Sequence, residues 1–596
     1  MCGIVAQFNY RRGAIDREKL LQMRDVMACR GPDGTGYWTS ENGRVALAHR
    51  RLSIIDPSER GAQPMTDDRR GRMITYNGEI YNYQDLRAEL QHQGYRFKSD
   101  TDTEVLLYLY DREGAEMVEK LRGMYAFALY DEERQGMLLA RDPYGIKPLY
   151  YADDGATLRV ASQVRALRAH QSVDTAPQPA GHVGFFLWGH VPEPYTFYRG
   201  IRALPAGHTL WVEEGGQSRE QQFFSISDTI AAAENGRYDL SPARIKRRLR
   251  ESLISSVKHH LVSDVEVGLF LSAGIDSATL AGLVSDVRDE PLRTLTLGFE
   301  EYRGTTHDEV PLAEAVAEHY GMNHRTVWIS RSDFESERER LLEMMDQPSI
   351  DGVNAYFVSR AAAQAGLKVA LSGLGGDELF GGYAGFDRIP RLVRTLGYLP
   401  GVSTLGKGLR VVSAPVLKKF TSPKYAGLLE YGSSYEEAYL LSRGLFMPWE
   451  LPDVLDEELV HEGWRTLRPF ARLSATASAP EDAGFKLTAL LSCWYMRNQL
   501  LRDADWASMA HGVEVRVPLV EHKLLQQIAA LRAANPQIGK QDLAQTPTKS
   551  LPEEVFNRPK TGFSIPVRQW LLDGTADVDY SRGLRGWAKY VYSRYT

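Results

Sequence analysis

The stretch DVEVGLFLSAGIDSATLAGLVSDV, Asp264 to Val287, holds a continuous apolar strand, a turn of small residues and a helix. An apolar run without polar alternation marks a strand covered on both faces, the signature of a parallel sheet. The pattern then repeats with strand TLTLGF (294–299), helix VPLAEAVAEHYG (310–321), strand RTVWIS (325–330), a long helix to about Met345, helix NAYFVSRAAAQAG (354–366) and strand KVALS (368–372). Strands alternating with helices predict an α/β domain with ligands at the carboxyl ends of the strands. Beyond about residue 390 the pattern is mainly helical.

The turn inside the opening stretch carries Ser272, Ala273, Gly274, Ile275, Asp276 and Ser277. Small residues there let backbone N–H groups and hydroxyls close around an anion at a helix N-terminus. An aspartate in that turn repels phosphate unless a cation lies between, so Asp276 is a magnesium-ligand candidate. The Walker pattern G-x-x-x-x-G-K is absent. A second loop, LSGLGGDELFGGY (371–383), supplies Ser372, Gly373, Gly375, Gly376 and a second carboxylate, Asp377. Two such loops facing one crevice predict a site for ATP pyrophosphate and Mg2+ rather than two structural turns.

Upstream, to about residue 150, short apolar runs punctuated by Gly, Asp and Asn predict strands at Gly3 to Phe8, Val45 to His49, Met73 to Tyr76, Gly123 to Tyr130 and Met137 to Arg141. One helix is predicted at about Tyr83 to Gln93, with Gly94 stopping it. This is a layered α+β domain with packed sheets. Further hairpin-like strands follow, HTLWVEE (208–214) among them, and then a polar stretch near 230–240 that reads as a linker.

Cys2 stands directly behind Met1. Free cysteine is among the most buried residue types, so a small hydrophobe opening a strand is one reading. The other is chemical: removal of the methionine leaves a thiol and an α-amine on one residue, with an amine that titrates near ~8 serving as base to the thiol. In YNGEIYNY (76–83), Asn77 and Gly78 offer a side-chain amide and a backbone N–H, the donor pair of an oxyanion hole. Asn-Gly is equally a hairpin signal, and both readings stay open at this point. Arg51 offers a fork for a carboxylate, while Glu79 and Asp102 could hold an ammonium.

Length and composition agree with a multidomain globular enzyme: 596 residues, 43% hydrophobic, 25% charged, formal net charge −6. No strongly basic balance points to nucleic acid, and no run of eighteen or more apolar residues points to a membrane. The three cysteines are scattered, without a C-x-x-C pair, which predicts a reduced, cytoplasmic setting.

Taken in order, CGIV, RGPDG, RLSIID, NGEIYN, SDTDTE and RDPYGIKPLYY resemble the glutaminase domain of class II glutamine amidotransferases. SAGIDS, SGLGGDE, MAHGVEVRVPL and RPKTGFSIP resemble the synthetase domain of glutamine-dependent asparagine synthetases. The resemblance covers nearly the whole chain. It implies an N-terminal αββα sandwich of Ntn-hydrolase type over residues 2–210, a linker over 211–240, and an ATP-pyrophosphatase domain with a helical C-terminal part over 241–596. It also implies that Cys2 attacks the glutamine side-chain amide, that Asn77 and Gly78 hold the oxyanion, and that Arg51, Glu79 and Asp102 hold the α-carboxylate and α-amine. Ammonia then passes through an internal tunnel to a carboxylate activated as its acyl-adenylate, by default aspartate. There Asp276 and Asp377 match the magnesium ligands and Ser272 to Ser277 the pyrophosphate loop. Leu271, Leu297 and Gly373 lie where relatives contact the nucleoside, and Lys560 matches the catalytic lysine. Glutamine, ATP and an acid are the expected partners, with no nucleic acid and no membrane; a homodimer is left open.

Three positions depart from the family pattern. Ala273 replaces the usual second glycine, a mild change where φ stays negative. Leu374 stands where a carboxylate is usual and can neither accept a proton nor pair with an ammonium. Either Glu378 or Glu309 compensates, or the acceptor is not aspartate. Leu519, Val520 and Glu521 replace Phe-Leu-Asp, a change expected to touch the acceptor domain and leave the glutaminase untouched. Beside the asparagine synthetase reading stand two others: the same mechanism on a different acid, from a biosynthetic intermediate or a cell-surface sugar acid, and a non-catalytic stress or storage protein. The tail after Asp573 has no reading.

Overall fold

In β1 (Gly3–Asn9) every residue is buried, and alternate side chains enter different cores. Ile4, Ala6 and Phe8 join Leu47, Ala128 and Leu139, while Val5 joins Leu20 and Met23 of the helix Arg17–Asp25. Side chains alternate across a strand, so this sheet has a second sheet on one face and helices on the other. The computed structural model establishes this arrangement for every residue except 12, 68–69, 237–239, 421–422, 559–565, 567–569 and 571–583, and over 415–420 and 423 it describes the backbone alone.

The remaining strands of the N-terminal domain are β2 (Gly34–Thr39), β3 (Val45–Arg51), β4 (Met65–Asp67), β5 (Arg72–Ile80), β6 (Gly123–Asp131), β7 (Gly136–Arg141), β8 (Tyr150–Asp153), β9 (Thr157–Ala161), β10 (Arg202–Ala203), β11 (His208–Glu213) and β12 (Ser218–Gln222). They form two six-stranded sheets, ordered β10-β8-β9-β1-β3-β2 and β12-β11-β7-β6-β5-β4. In β6, Ala126, Ala128 and Tyr130 face the first sheet, while Tyr125, Phe127 and Leu129 face the core that holds Leu86 and Leu90 of the helix Tyr83–His92 and Val105 of the helix Asp102–Glu113. The result is a four-layer αββα sandwich.

Two expectations are corrected here. Asn77 and Gly78 do not form a hairpin turn: they lie inside β5, paired with Ala126 and Tyr125 of β6. Gly78 has φ +154°, and a Cβ there would collide with the Met124 carbonyl, so close strand approach is what requires glycine. The segment 211–240 is not a bare linker. β11 runs through 211 and pairs with both β7 and β12, and a helix, Ile226–Glu234, follows.

The second domain holds β13 (Val267–Phe270), β14 (Arg293–Phe299), β15 (Asn323–Ile329), β16 (Val369–Leu371) and β17 (Glu514–Arg516), all parallel, in the order β15-β14-β13-β16-β17. The chain runs from β13 to β14 and β15 on one side, then returns to β16 on the other. The crevice between β13 and β16 is therefore the switch point of the sheet, and the loops 271–277 and 372–377 open into it.

The two domains meet through charged residues. Arg30, fully buried, makes a two-pronged pair with Asp505 at 2.7 and 3.1 Å and donates through Nε to the Cys2 carbonyl at 3.1 Å. Arg122 pairs in the same way with Glu521, both contacts 2.8 Å. Glu521 thus holds the glutaminase-side domain, contrary to the expectation that the change at this position leaves that domain untouched.

Candidate active sites

The first site surrounds the start of β1. The Cys2 backbone N–H donates to Asn77 Oδ1 at 2.9 Å, and the Cys2 thiol faces the Leu52 carbonyl at 3.9 Å. Burial pushes the thiol above its ordinary value. With its oxygen engaged, the Asn77 amide leaves Nδ2 buried and without an acceptor. An orphaned buried donor costs about 1–3 kcal/mol, a cost that a ligand oxygen would relieve.

Asp102 lies 4% exposed under the same strand and accepts from Tyr76 Oη and the Ile80 N–H, both at 2.9 Å. Burial raises its carboxyl to about 6. Glu79 turns toward the second domain, 3.5 Å from Arg516, and burial followed by the nearby Glu514 carboxylate raises it well above the usual range. Arg51 donates to the carbonyls of Ser58, at 2.7 Å, and of Asp56, bracing the loop beyond β3. Cys2, Asn77 and Gly78 are therefore brought together, with Asp102 beneath them, whereas Glu79 and Arg51 also serve the domain interface and the loop.

The second site is a cavity of about 470 Å³ at the carboxyl ends of β13 and β16. Leu271 to Ser277, Leu297, Ser372, Gly373 and Asp377 all line it. Ser277 Oγ and Ser272 Oγ lie 2.9 Å apart and tie the first loop closed. Gly274 precedes the helix Ile275–Ser285, whose N-terminal N–H groups suit phosphate. A Cβ at Gly376 would come within 2.5 Å of the Asp276 carboxylate, so the loops close on each other only with glycine there.

Among the described residues Asp276 and Asp377 share the cation Lys540, with Nζ 2.9 Å from Asp377 and in closer contact with Asp276. Burial alone would lower this ammonium, but the two carboxylates outweigh it and hold it above its ordinary value. The pair fits magnesium: two oxygen donors converge on one point, and no group of three acidic, His or Cys ligands exists among the described residues, so phosphate oxygens and water would complete the shell. Lys540 escaped the sequence reading because a lone lysine in QIGKQDLAQ looks like any surface lysine. Lys560 lies outside the described residues.

The same cavity is also lined by the apolar side chains Leu374, Leu500 and Ala504 and by the carboxyls Asp351, Glu378 and Asp503. Glu378 accepts from Tyr383 Oη at 2.8 Å, and burial raises it to about 7. Asp503 accepts from Ser349 Oγ at 2.5 Å and Trp506 Nε1 at 2.8 Å; burial, then the nearby Asp351, raises it to about 7. Glu309 also lines the cavity, 3.4 Å from Arg558. Leu519 and Val520 are buried, and Val520 packs beneath Gly375.

Two families match the chain: a glutamine amidotransferase domain over residues 1–224 and asparagine synthase over residues 248–584. Asparagine synthetase [glutamine-hydrolyzing] 1 of Bacillus subtilis is 32% identical over 96% of this chain and 88% of its own length. The chain belongs to the glutamine-hydrolysing asparagine synthetase family. A putative asparagine synthetase [glutamine-hydrolyzing] of Mycobacterium tuberculosis is 33% identical over 96% of this chain and 89% of its own. A solved structure of glutamine phosphoribosylpyrophosphate amidotransferase from B. subtilis covers 55% of this chain and 65% of its own, at 18% identity and a TM-score of 0.29. As a member of the asparagine synthetase family the chain is a glutamine-hydrolysing carbon–nitrogen ligase, with a glutamine amidotransferase domain ahead of its synthase domain.

Proposed function

We propose that the protein moves the amide nitrogen of glutamine to a carboxylic acid activated by ATP, with release of AMP and pyrophosphate. The observation that carries this reading is the pairing of Cys2 with Asn77, whose buried Nδ2 lacks an acceptor, in a chain whose second domain places two aspartate-bearing loops at one crevice.

Removal of Met1 turns the Cys2 nitrogen into an amine that keeps its bond to Asn77 Oδ1 and can accept the thiol proton. The thiolate attacks the glutamine amide carbon, and the oxyanion is met by Asn77 Nδ2 and the Gly78 N–H. Ammonia leaves, and water hydrolyses the thioester to glutamate. Asp102, Glu79 and Arg51 hold the glutamine α-amine and α-carboxylate. In the second domain an acceptor carboxylate oxygen attacks the α-phosphorus of ATP and pyrophosphate departs. Ammonia then attacks the acyl carbon, and AMP carries away the former carboxylate oxygen. Ser272 to Ser277 and Ser372 hold the phosphates, Leu271, Leu297 and Gly373 the nucleoside, and Lys560 the charge that develops on the phosphoryl groups. Magnesium held by Asp276 and Asp377 would supply positive charge against the triphosphate. Lys540 bridges these two carboxylates.

Aspartate is the first acceptor to test. A second reading keeps the mechanism with a different acid, and the leucine at 374, in a cavity lined by the buried carboxyls Glu378 and Asp503 and the half-buried Asp351, favours it. Pyrophosphate release measured over a series of carboxylic acids with ATP, magnesium and ammonium separates the two. Strongest release with aspartate supports the first reading; no response to aspartate beside a response to another acid supports the second; no release with any acid contradicts both.

A further inference from the structure

Ten large hydrophobic side chains stand exposed among the described residues, and eight of them fall within residues 398–428. They centre on the helix Val402–Phe420. Leu405, Leu409 and Val412, spaced by four and three residues, form a stripe on its outer side and are 74%, 54% and 74% exposed. The side turned to the protein carries Val402 and Gly406, and a Cβ on Gly406 would strike the backbone at Glu430. The helix therefore packs through small residues and presents its leucines outward, the reverse of an ordinary surface helix. Tyr398, 83% exposed, and Leu399 precede it.

Charge on this segment is one-sided. From residue 388 to residue 429 the chain holds eight lysines and arginines and no aspartate or glutamate, in a protein of net charge −6. Arg388, Arg391 and Arg394 are exposed at three-residue spacing on the helix Gly385–Leu396. That helix begins two residues after Tyr383, which lines the synthetase cavity.

We infer that residues 388–412 form a docking surface for an anionic lipid membrane, with the Leu405–Leu409–Val412 stripe entering the headgroup boundary and the arginines meeting lipid phosphates. Exposed apolar side chains flanked by cations on a helix are what an interfacial segment needs. No helix of the described residues is long and apolar enough to cross a membrane, so the segment lies on the surface rather than spanning it. The lack of long apolar runs, which argued against a membrane partner, bears on spanning only. A second copy of the same face is disfavoured because self-pairing sets cations against cations.

The test is co-sedimentation of the full chain with vesicles of phosphatidylcholine alone and of phosphatidylcholine mixed with phosphatidylglycerol. The expected result is binding to the mixed vesicles, release by added salt, and a fall in partitioning on the order of a hundredfold in Arg388→Gln/Arg391→Gln/Arg394→Gln. Leu405→Asp/Leu409→Asp/Val412→Asp should fall at least as far while keeping wild-type pyrophosphate release in solution, since its substituted positions already face water. Equal binding to both vesicle types, no binding, or variants that bind like wild type would overturn the inference. So would a wild-type oligomer that the leucine-to-aspartate variant turns into monomers, or capture by polyglutamate without capture by vesicles.

Discussion

The Asn77 amide oxygen takes the Cys2 N–H, which leaves its buried nitrogen without an acceptor; in the proposed reaction that nitrogen meets the reacting carbonyl. Asn77→Ala removes both, and glutamine hydrolysis should fall by about 10²–10³, the usual loss for one oxyanion donor, with ammonium-driven pyrophosphate release unchanged. Asp102 makes a pH prediction. Its carboxyl is raised in the fold to about 6, so the folded protein binds the extra proton, and stability contributed by the protonated form is lost as pH rises from about 4 through 6. Asp102→Asn should therefore gain stability over wild type across that window, up to about 3 kcal/mol above it, read as the shift of the thermal midpoint at pH 5 and pH 8. A midpoint difference that is the same at both pH values contradicts the shift. At this scale the sequence was legible wherever chemistry sat beside a small-residue turn, as with Asp276 and Asp377. It was silent on Lys540, whose meaning comes from two carboxylates 264 and 163 residues away, brought to it only by folding.

Elements with a strong apolar period were legible: β1, β6, β14 and the helix Tyr83–His92 lie within a residue or two of their predicted bounds. Those missed include short or polar elements, and also the buried helix Asp102–Glu113. β17 has three residues, too few for any period, and β12 is the exposed, wholly polar edge strand SREQQ, which earns its place by pairing with β11. The Asn-Gly pair shows the opposite hazard, a local turn signal overridden by sheet pairing with β6. Gly78→Ala tests that element: a side chain at φ +154° against the Met124 carbonyl should cost about 1–3 kcal/mol of backbone strain. Glutamine hydrolysis should be lost and ammonium-driven synthesis kept. Full hydrolysis by this variant would mean that β5 tolerates a side chain there.

Across the molecule, Arg30 reaches from the Cys2 carbonyl to Asp505, and Asp503 and Ala504, one helical turn or less away, line the synthetase cavity. Removing one partner of such a buried pair leaves the other uncompensated, at a cost of about 3–5 kcal/mol. Arg30→Met should lower stability to denaturant by that order and raise the glutamate formed per pyrophosphate released, because the domains no longer hold register. A ratio unchanged from wild type would remove Arg30 from the coupling. This level was legible in the sequence only as two domains in order, since ion pairs such as Arg122–Glu521 span 399 residues and leave no local mark.

The central claim is that Cys2 supplies nitrogen to a synthetase that works independently of it. The direct measurement is pyrophosphate release and amide formation by Cys2→Ala with the accepted acid, ATP and magnesium, using glutamine in one arm and ammonium chloride in the other. The account predicts no amide from glutamine and near wild-type amide from ammonium. Amide formation from glutamine by this variant would contradict it.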